Sequence, residues 1–467
     1  MTLKEQIHSW MAGREDEFVA ALAPLIAIDS TTGPAAPGMP FGPGPAKALD
    51  TALALAREWG MQTWDDEGYV GLVDLNGKED ILHILAHLDI VGAGDHWDTD
   101  PFTLVRDGDL IYGRGTDDDK GPAVASLLAM RCIKELGIPL KGNVKLILGT
   151  DEESGSGDLI HYFSRHPFAP HSITPDTCFP VTNIEKANYS PRFSAVWAPQ
   201  PAADAQLLQL NGGIRVNVAP GNCTAKIRNL PKAAVAAAME DVARTTGVSF
   251  TAAEDEGILT LEAVGLQTHA SHPDEGRNAI TAMLNLLVQL PLADDAAYRA
   301  VQNLHKLFPY GDNGGMALGI AMEDAVSGKL TLTLSVLDLA DTGFTARFDS
   351  RDPLCATADT TQKVVERTFA ALGWECSGDF LPGHYVDADS PFIRTLLQTY
   401  EEFSGRKGYC EAIGGGTYVH HIPGGVAFGA GEHDFDSRVH GANERASLTQ
   451  LLLTAEIYAA VIARLCG

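Results

Sequence analysis

The chain has 467 residues, 45% of them hydrophobic and 20% charged, enough apolar content for two or three domains that need no staples. Lys plus Arg number 34 against 61 Asp plus Glu, a formal net charge of −27, which argues against nucleic acid or an anionic membrane surface as the main partner. None of the seven cysteines forms a Cys-x-x-Cys pair, so neither a disulfide framework nor a thiolate zinc site is expected. The N-terminus is acidic where a signal peptide needs an apolar core, and no apolar stretch approaches the roughly 20 residues of a membrane span, so a cytoplasmic protein is expected.

Residues 4–28 carry Ile7, Trp10, Met11, Phe18, Leu22 and Leu25 at helical spacing and read as one amphipathic helix. A Gly/Pro-rich loop follows from Thr32 to Pro45, then a helix over 46–59 and strand-like runs at Tyr69–Leu75 and Asp80–His87. Lys120–Leu136 is helical in pattern, with Pro122 in the first turn, where proline is tolerated. Asn143–Leu148 is a strand, and a helix is expected after Gly155-Ser156-Gly157. This alternation predicts an α/β domain with a mostly parallel sheet.

From about Ala187 to Pro382 strands dominate, with helices expected at Pro231–Thr245 and near Glu275–Leu290 and strands at Leu330–Leu337 and Phe344–Phe348. That texture predicts an α+β domain inserted into the first, giving boundaries of 1–187, 188–382 and 383–467. An apolar helix, Ala446–Leu465, ends the chain.

Five short stretches carry chemistry. His87 and Asp89, two residues apart at a strand end, share one face, where an imidazole can bind a metal and a carboxylate can orient it. Asp117-Asp118-Asp119 precede a helix and suit either capping or cation binding. Glu152-Glu153 follow a strand, where open α/β sheets place their sites; one glutamate can coordinate while the other faces substrate as a base. Asp176 and His440 are weak signals alone. Together, His87, Asp118, Glu153, Asp176 and His440 make a two-histidine, three-carboxylate inventory suited to two divalent ions sharing one carboxylate, with zinc, manganese and cobalt all compatible.

The stretches HLDIVGAGDHWDTDPF, GRGTDDDKG, GTDEESGSGD, ITPDTCFPV, THASHPDEGRNA, IGGGTYV and VHGANE resemble, in order, the co-catalytic metallopeptidases that include aminoacylase, carnosinase, carboxypeptidase G and the PepV-like dipeptidases. The likeness is strongest to the last group and runs from about residue 80 to residue 445. The resemblance implies that His87 and Asp176 hold one ion, Glu153 and His440 the other, and that Asp118 bridges them, as the aspartate two places before the lysine of Asp-x-Lys-Gly. It implies a cis peptide after Asp118, Asp89 orienting His87, and Glu152 as general base of a metal-activated water. It makes the inserted domain a lid whose His269 steadies an oxyanion, with Asn217 and Arg351 contacting the substrate and Arg351 taking its C-terminal carboxylate. Gly415 and Gly416 let backbone approach that substrate closely.

Three departures from the family pattern concern the substrate. Tyr418-Val419-His420-His421 follows the glycine run where relatives carry an arginine, Asp117 stands where a small or apolar residue is usual, and Asn222-Cys223 replaces an acidic residue. The resulting expectation is a monomeric, two-metal dipeptidase; the alternatives are an N-acyl-amino-acid deacylase on the same scaffold and a non-catalytic peptide-binding protein. A serine hydrolase is disfavoured by the absence of a Gly-x-Ser-x-Gly elbow.

Overall fold

The computed structural model describes residues 1–199, 201–203 and 205–467. The fold is mixed α/β, as its sequence texture predicts, and divides into two compact units. One comprises Met1–Glu185, His384–Ala412 and Gly416–Gly467; the other comprises Lys186–Gly383 and Ile413–Gly415.

The first unit is built on a sheet whose central strands run Asn143–Gly149, Asp80–His87, His171–Thr174 and Gly425–Ala427, each parallel to its neighbour. Antiparallel strands flank them, Val70–Asp74 and Gln62–Asp66 on one side and Val181–Glu185 and His384–Tyr385 on the other. The central strands are buried almost throughout, which is why they read as continuous apolar runs. Helices Lys120–Glu135 and Leu448–Cys466 pack on each other and on this sheet. Fully buried Val124, Leu128, Ile457 and Val461 lie in this core, each contributing on the order of 1.5–3 kcal/mol of transfer free energy.

Two expectations are corrected in this unit. Residues 4–28 form two helices, Leu3–Met11 and Glu15–Ile26, because Gly13 takes a left-handed φ of +78° between them. Leu448–Cys466, with 19 residues and mean hydropathy 1.4, is long and apolar enough to cross a membrane by length and composition. It passes that test as a core helix does, with 67% of the stretch buried in the fold.

The second unit has a ten-stranded antiparallel sheet among the described residues. Its path runs Ser249–Asp255, Ile258–Val264, Asn222–Arg228, Gln206–Gly212, Thr331–Ala340, Gly343–Asp352, Ala187–Tyr189 and Phe380–Leu381. Helix Ala279–Leu287, capped by the Asn278 side chain, is buried among those strands with Ala296–Leu307 beside it. Phe193, Phe344, Phe348, Phe369 and Trp374 form a packed aromatic group in the core of this unit.

Candidate active site

Three of the first unit's site segments lie at the C-terminal ends of adjacent parallel strands. His87 ends one strand, Glu152 and Glu153 follow Gly149, and Asp176 follows Thr174. Asp118 belongs to the loop leading into helix Lys120–Glu135, and the Asp118–Asp119 peptide is cis. His440, with a left-handed φ of +61°, lies in the loop before the last helix.

These residues converge. His87 Nε2 is 2.9 Å from Asp118 Oδ1 and 3.8 Å from Asp176 Oδ1. His440 Nε2 is 2.8 Å from Asp118 Oδ2 and 3.2 Å from Glu153 Oε1. The Asp118 carboxylate therefore presents one oxygen to each imidazole. Two ligand groups result, His87–Glu152–Asp176 and Asp118–Glu153–His440, with ligand atoms within 4.8 Å of one another in each. Distance alone thus places Glu152 beside the first group and does not separate base from ligand.

The donor chemistry fits divalent cations. His87 Nδ1 lies 3.0 Å from the Asp89 carbonyl, an acceptor only, so Nδ1 carries a proton and Nε2, aimed at carboxylate oxygens, is the nitrogen whose lone pair a cation would take. His87 Nε2, Asp118 Oδ1 and Glu153 Oε1 are buried without hydrogen-bond partners. Such a cluster needs positive charge at its centre. Protons can supply it: burial would lower His87 and His440, but the facing carboxylates push His87 well up and His440 to about 11. Burial would raise Asp118, and the His440 and His87 imidazoles facing its two oxygens overcome it and hold the group well below the usual range. Burial, then the charge of Asp176, raises Glu152 well above its ordinary value against the pull of His87. Metal binding exchanges such protons for cations.

The surrounding shell is densely hydrogen-bonded. The Asp89 carboxylate accepts the backbone N–H of Glu152 at 3.1 Å and of Glu153 at 3.0 Å, so it holds the glutamate turn. Its oxygen is farther, 3.5 Å, from His87 Nδ1. Asp119 Oδ2 accepts the His87 N–H, and Lys120 Nζ donates to the Leu25 and Ile28 carbonyls. Gly149 must lack a side chain, because a Cβ would lie 1.8 Å from the Tyr418 hydroxyl, which bonds Asp158 at 2.5 Å.

Sequence reasoning missed Arg114 and Glu444 as organisers. Glu444 accepts N–H groups of Gly115 and Asp117, both at 3.0 Å, and pairs with Arg114, which also donates to the Gly441 carbonyl. This buried pair ties the Asp118 loop to the His440 loop. Both residues stand inside the GRGTDDDKG and VHGANE stretches, so adjacency to the ligands was the available signal.

The remaining predicted residues belong to the second unit, except Gly416, which is in the first. Asn217 adjoins the short strand Val218–Ala219, which pairs with Thr268–His269, and the Ala270 N–H donates to the Asn217 carbonyl. His269 is exposed, and its Nδ1 accepts the Ser271 N–H at 3.2 Å, leaving the proton on Nε2. Arg351 donates from Nε and one terminal nitrogen to both Asp349 oxygens, at 2.7 and 2.9 Å, and from the other to the Gly414 carbonyl at 2.7 Å. Three of its five donors are engaged, so two remain for a ligand. Gly415 adjoins that carbonyl.

The chain matches the model of peptidase family M20/M25/M40 over residues 83–464, and it belongs to that family. It is therefore a metallopeptidase by family, whose members bind divalent ions. It is 34% identical over 440 residues, 93% of each chain, to a Bacillus subtilis protein named "Putative dipeptidase YtjP". A Staphylococcus aureus protein, "Putative dipeptidase SAB1611c", is 30% identical over 99% of both chains. In fold the chain resembles human carnosine dipeptidase 1, with TM-score 0.61 at 16% identity over 100% and 99% of the two chains. A tripeptidase from Staphylococcus aureus gives TM-score 0.59 at 16% identity over 97% and 98%.

Proposed function

We propose that this protein is a two-metal dipeptidase that hydrolyses short peptides with a free C-terminal carboxylate. The observation that carries the reading is Asp118, whose two carboxylate oxygens face His87 and His440 at 2.9 and 2.8 Å. His87 and Asp176 would hold one cation, Glu153 and His440 the other, and Asp118 both; zinc is favoured, with manganese or cobalt as alternatives. Bound divalent ions supply Lewis acidity and bring the pKa of water towards neutrality.

Glu152, which lies beside the first ligand group, is suited to take a proton from water and pass it to the departing amine. Asp89 keeps Glu152 and Glu153 in register by fixing their backbone. His269 would present its Nε2–H to the developing oxyanion, a donor worth about 2.7–4 kcal/mol in such sites. Arg351 would bind the substrate's terminal carboxylate through its two remaining donors, with Asn217 and the Gly415–Gly416 backbone as further substrate contacts. We place the enzyme in the cytoplasm as a monomer, with the lid residues supplied by the same chain.

The test is hydrolysis of dipeptides beside N-acetyl and N-succinyl amino acids, by chelated protein re-supplied with zinc, manganese or cobalt. Return of dipeptide cleavage, lost in Glu152→Gln while metal still binds, supports the reading. Cleavage of acyl amino acids alone makes it a deacylase, and inertness towards both makes it a binding protein. A light-scattering mass of twice the chain would overturn the monomer.

A further inference from the structure

A cavity of about 180 Å³ opens beside the ligand cluster, walled entirely by residues of the first unit. That is room for several waters, or for one side chain. Asp118 and Asp176 line it, so whatever enters lies against the reacting centre. Pro175, Cys178, Phe435 and Val439 give it apolar walls fit for a hydrocarbon stem. Its polar groups include Asp117 and Glu432. Glu432 is satisfied by the Tyr400 hydroxyl and by Arg406 at 3.1 Å. Asp117 is different: it lines the cavity beside Ser437, Asp118 and Asp176, and no Lys, Arg or His is among the residues that line it.

We infer that this cavity receives the N-terminal residue of the substrate and that Asp117 takes an ammonium group of that residue. The inference rests on the dipeptidase reading, in which Arg351 of the other unit holds the terminal carboxylate and the acyl-side residue falls to the first unit. With Asp118 and Asp176 committed to the ligand cluster and Glu432 to Arg406, Asp117 is the carboxylate of that lining left to meet a ligand cation. Apolar walls ending in such a carboxylate favour an aliphatic chain carrying an amine over a neutral or acidic one. The ammonium is either the α-amino group or a side-chain amine.

The two sources separate on a six-carbon series: hexanoyl-alanine with no ammonium, norleucyl-alanine with the α-ammonium, and lysyl-alanine with both. Relative kcat/KM values are measured on the metal-loaded full chain and on Asp117→Asn, with metal content checked for each. If the α-ammonium is bound, the variant reduces the norleucyl-to-hexanoyl ratio about tenfold or more; if the side-chain amine is bound, it reduces the lysyl-to-norleucyl ratio by a similar factor. Both ratios unchanged would overturn the inference. Should Asp117→Asn lose its metals, Phe435→Lys decides: a cation introduced in the wall should reduce one of the two ratios, and unchanged ratios overturn the inference. Wild-type protein that cleaves both dipeptides without preference over hexanoyl-alanine sinks the Asp117 assignment alone. Wild-type protein that cleaves none of the three, with metals bound, sinks the dipeptidase reading itself.

Discussion

The two units hold most of their candidate functional residues in different ways, with His440 the exposed exception in the first. In the first, His87, Asp89, Asp118 and Asp119 are buried and bonded to one another or to backbone of the same cluster. In the second, His269 is exposed and steadied by its own turn, and Arg351 is half-buried with two donors left over. The contrast follows from charge. A cluster of carboxylates in a dry site must be organised before any ligand arrives, because unpaired buried charge is costly. A donor that meets developing negative charge only during reaction can wait in water, provided its tautomer and direction are set.

The contrast predicts that first-unit variants lose metal or chemistry outright and that second-unit variants lose graded amounts of rate or affinity. Asp118→Asn should have the largest effect, removing measurable activity together with bound metal by elemental analysis; retention of both ions would break the bridging role. Glu152→Gln should retain metal while kcat falls about 10²–10⁴-fold, the usual worth of a general base. His269→Ala should lower kcat by about 10²–10³-fold with metal content and melting temperature unchanged. Arg351→Lys should raise KM about tenfold at similar kcat, since a point charge replaces a forked donor set; a loss confined to kcat would remove Arg351 from carboxylate binding.

The smallest effect concerns stability. Burial pushes the Asp352 carboxyl up to about 7, and its Oδ1 has no hydrogen-bond partner. An unfolded aspartate releases its proton near pH 4. The folded state therefore binds more protons between about pH 4 and 7, so this group's stabilisation is full below pH 4 and is lost as pH rises through 7. Urea unfolding of Asp352→Asn should show a smaller decline between pH 5 and pH 8 than the parent; an equal decline would place the effect elsewhere.

Much of the fold class was legible because period and burial coincide. Asp80–His87 is an unbroken buried strand and reads as one, and Lys120–Glu135 starts where its proline is tolerated. The split at Gly13 was not legible, since the apolar spacing continues across a residue whose left-handed backbone ends the helix. In the site, residue types and order singled out the metal inventory, while Arg114 and Glu444 went unnoticed because a buried ion pair between loops 330 residues apart has no periodic signature.

The amino-acid sequence by itself determined which chemistry is available: two histidines and an excess of carboxylates at strand ends, in the order shared by one peptidase family. Only the tertiary structure decided how those groups are shared out. It turned the two oxygens of Asp118 towards different imidazoles, assigned Asp89 to the glutamate backbone, occupied three donors of Arg351 with Asp349 and Gly414, and left Asp117 facing a cavity. Chain order specifies what a residue can bond; distance and direction in the folded packing specify which bond it makes.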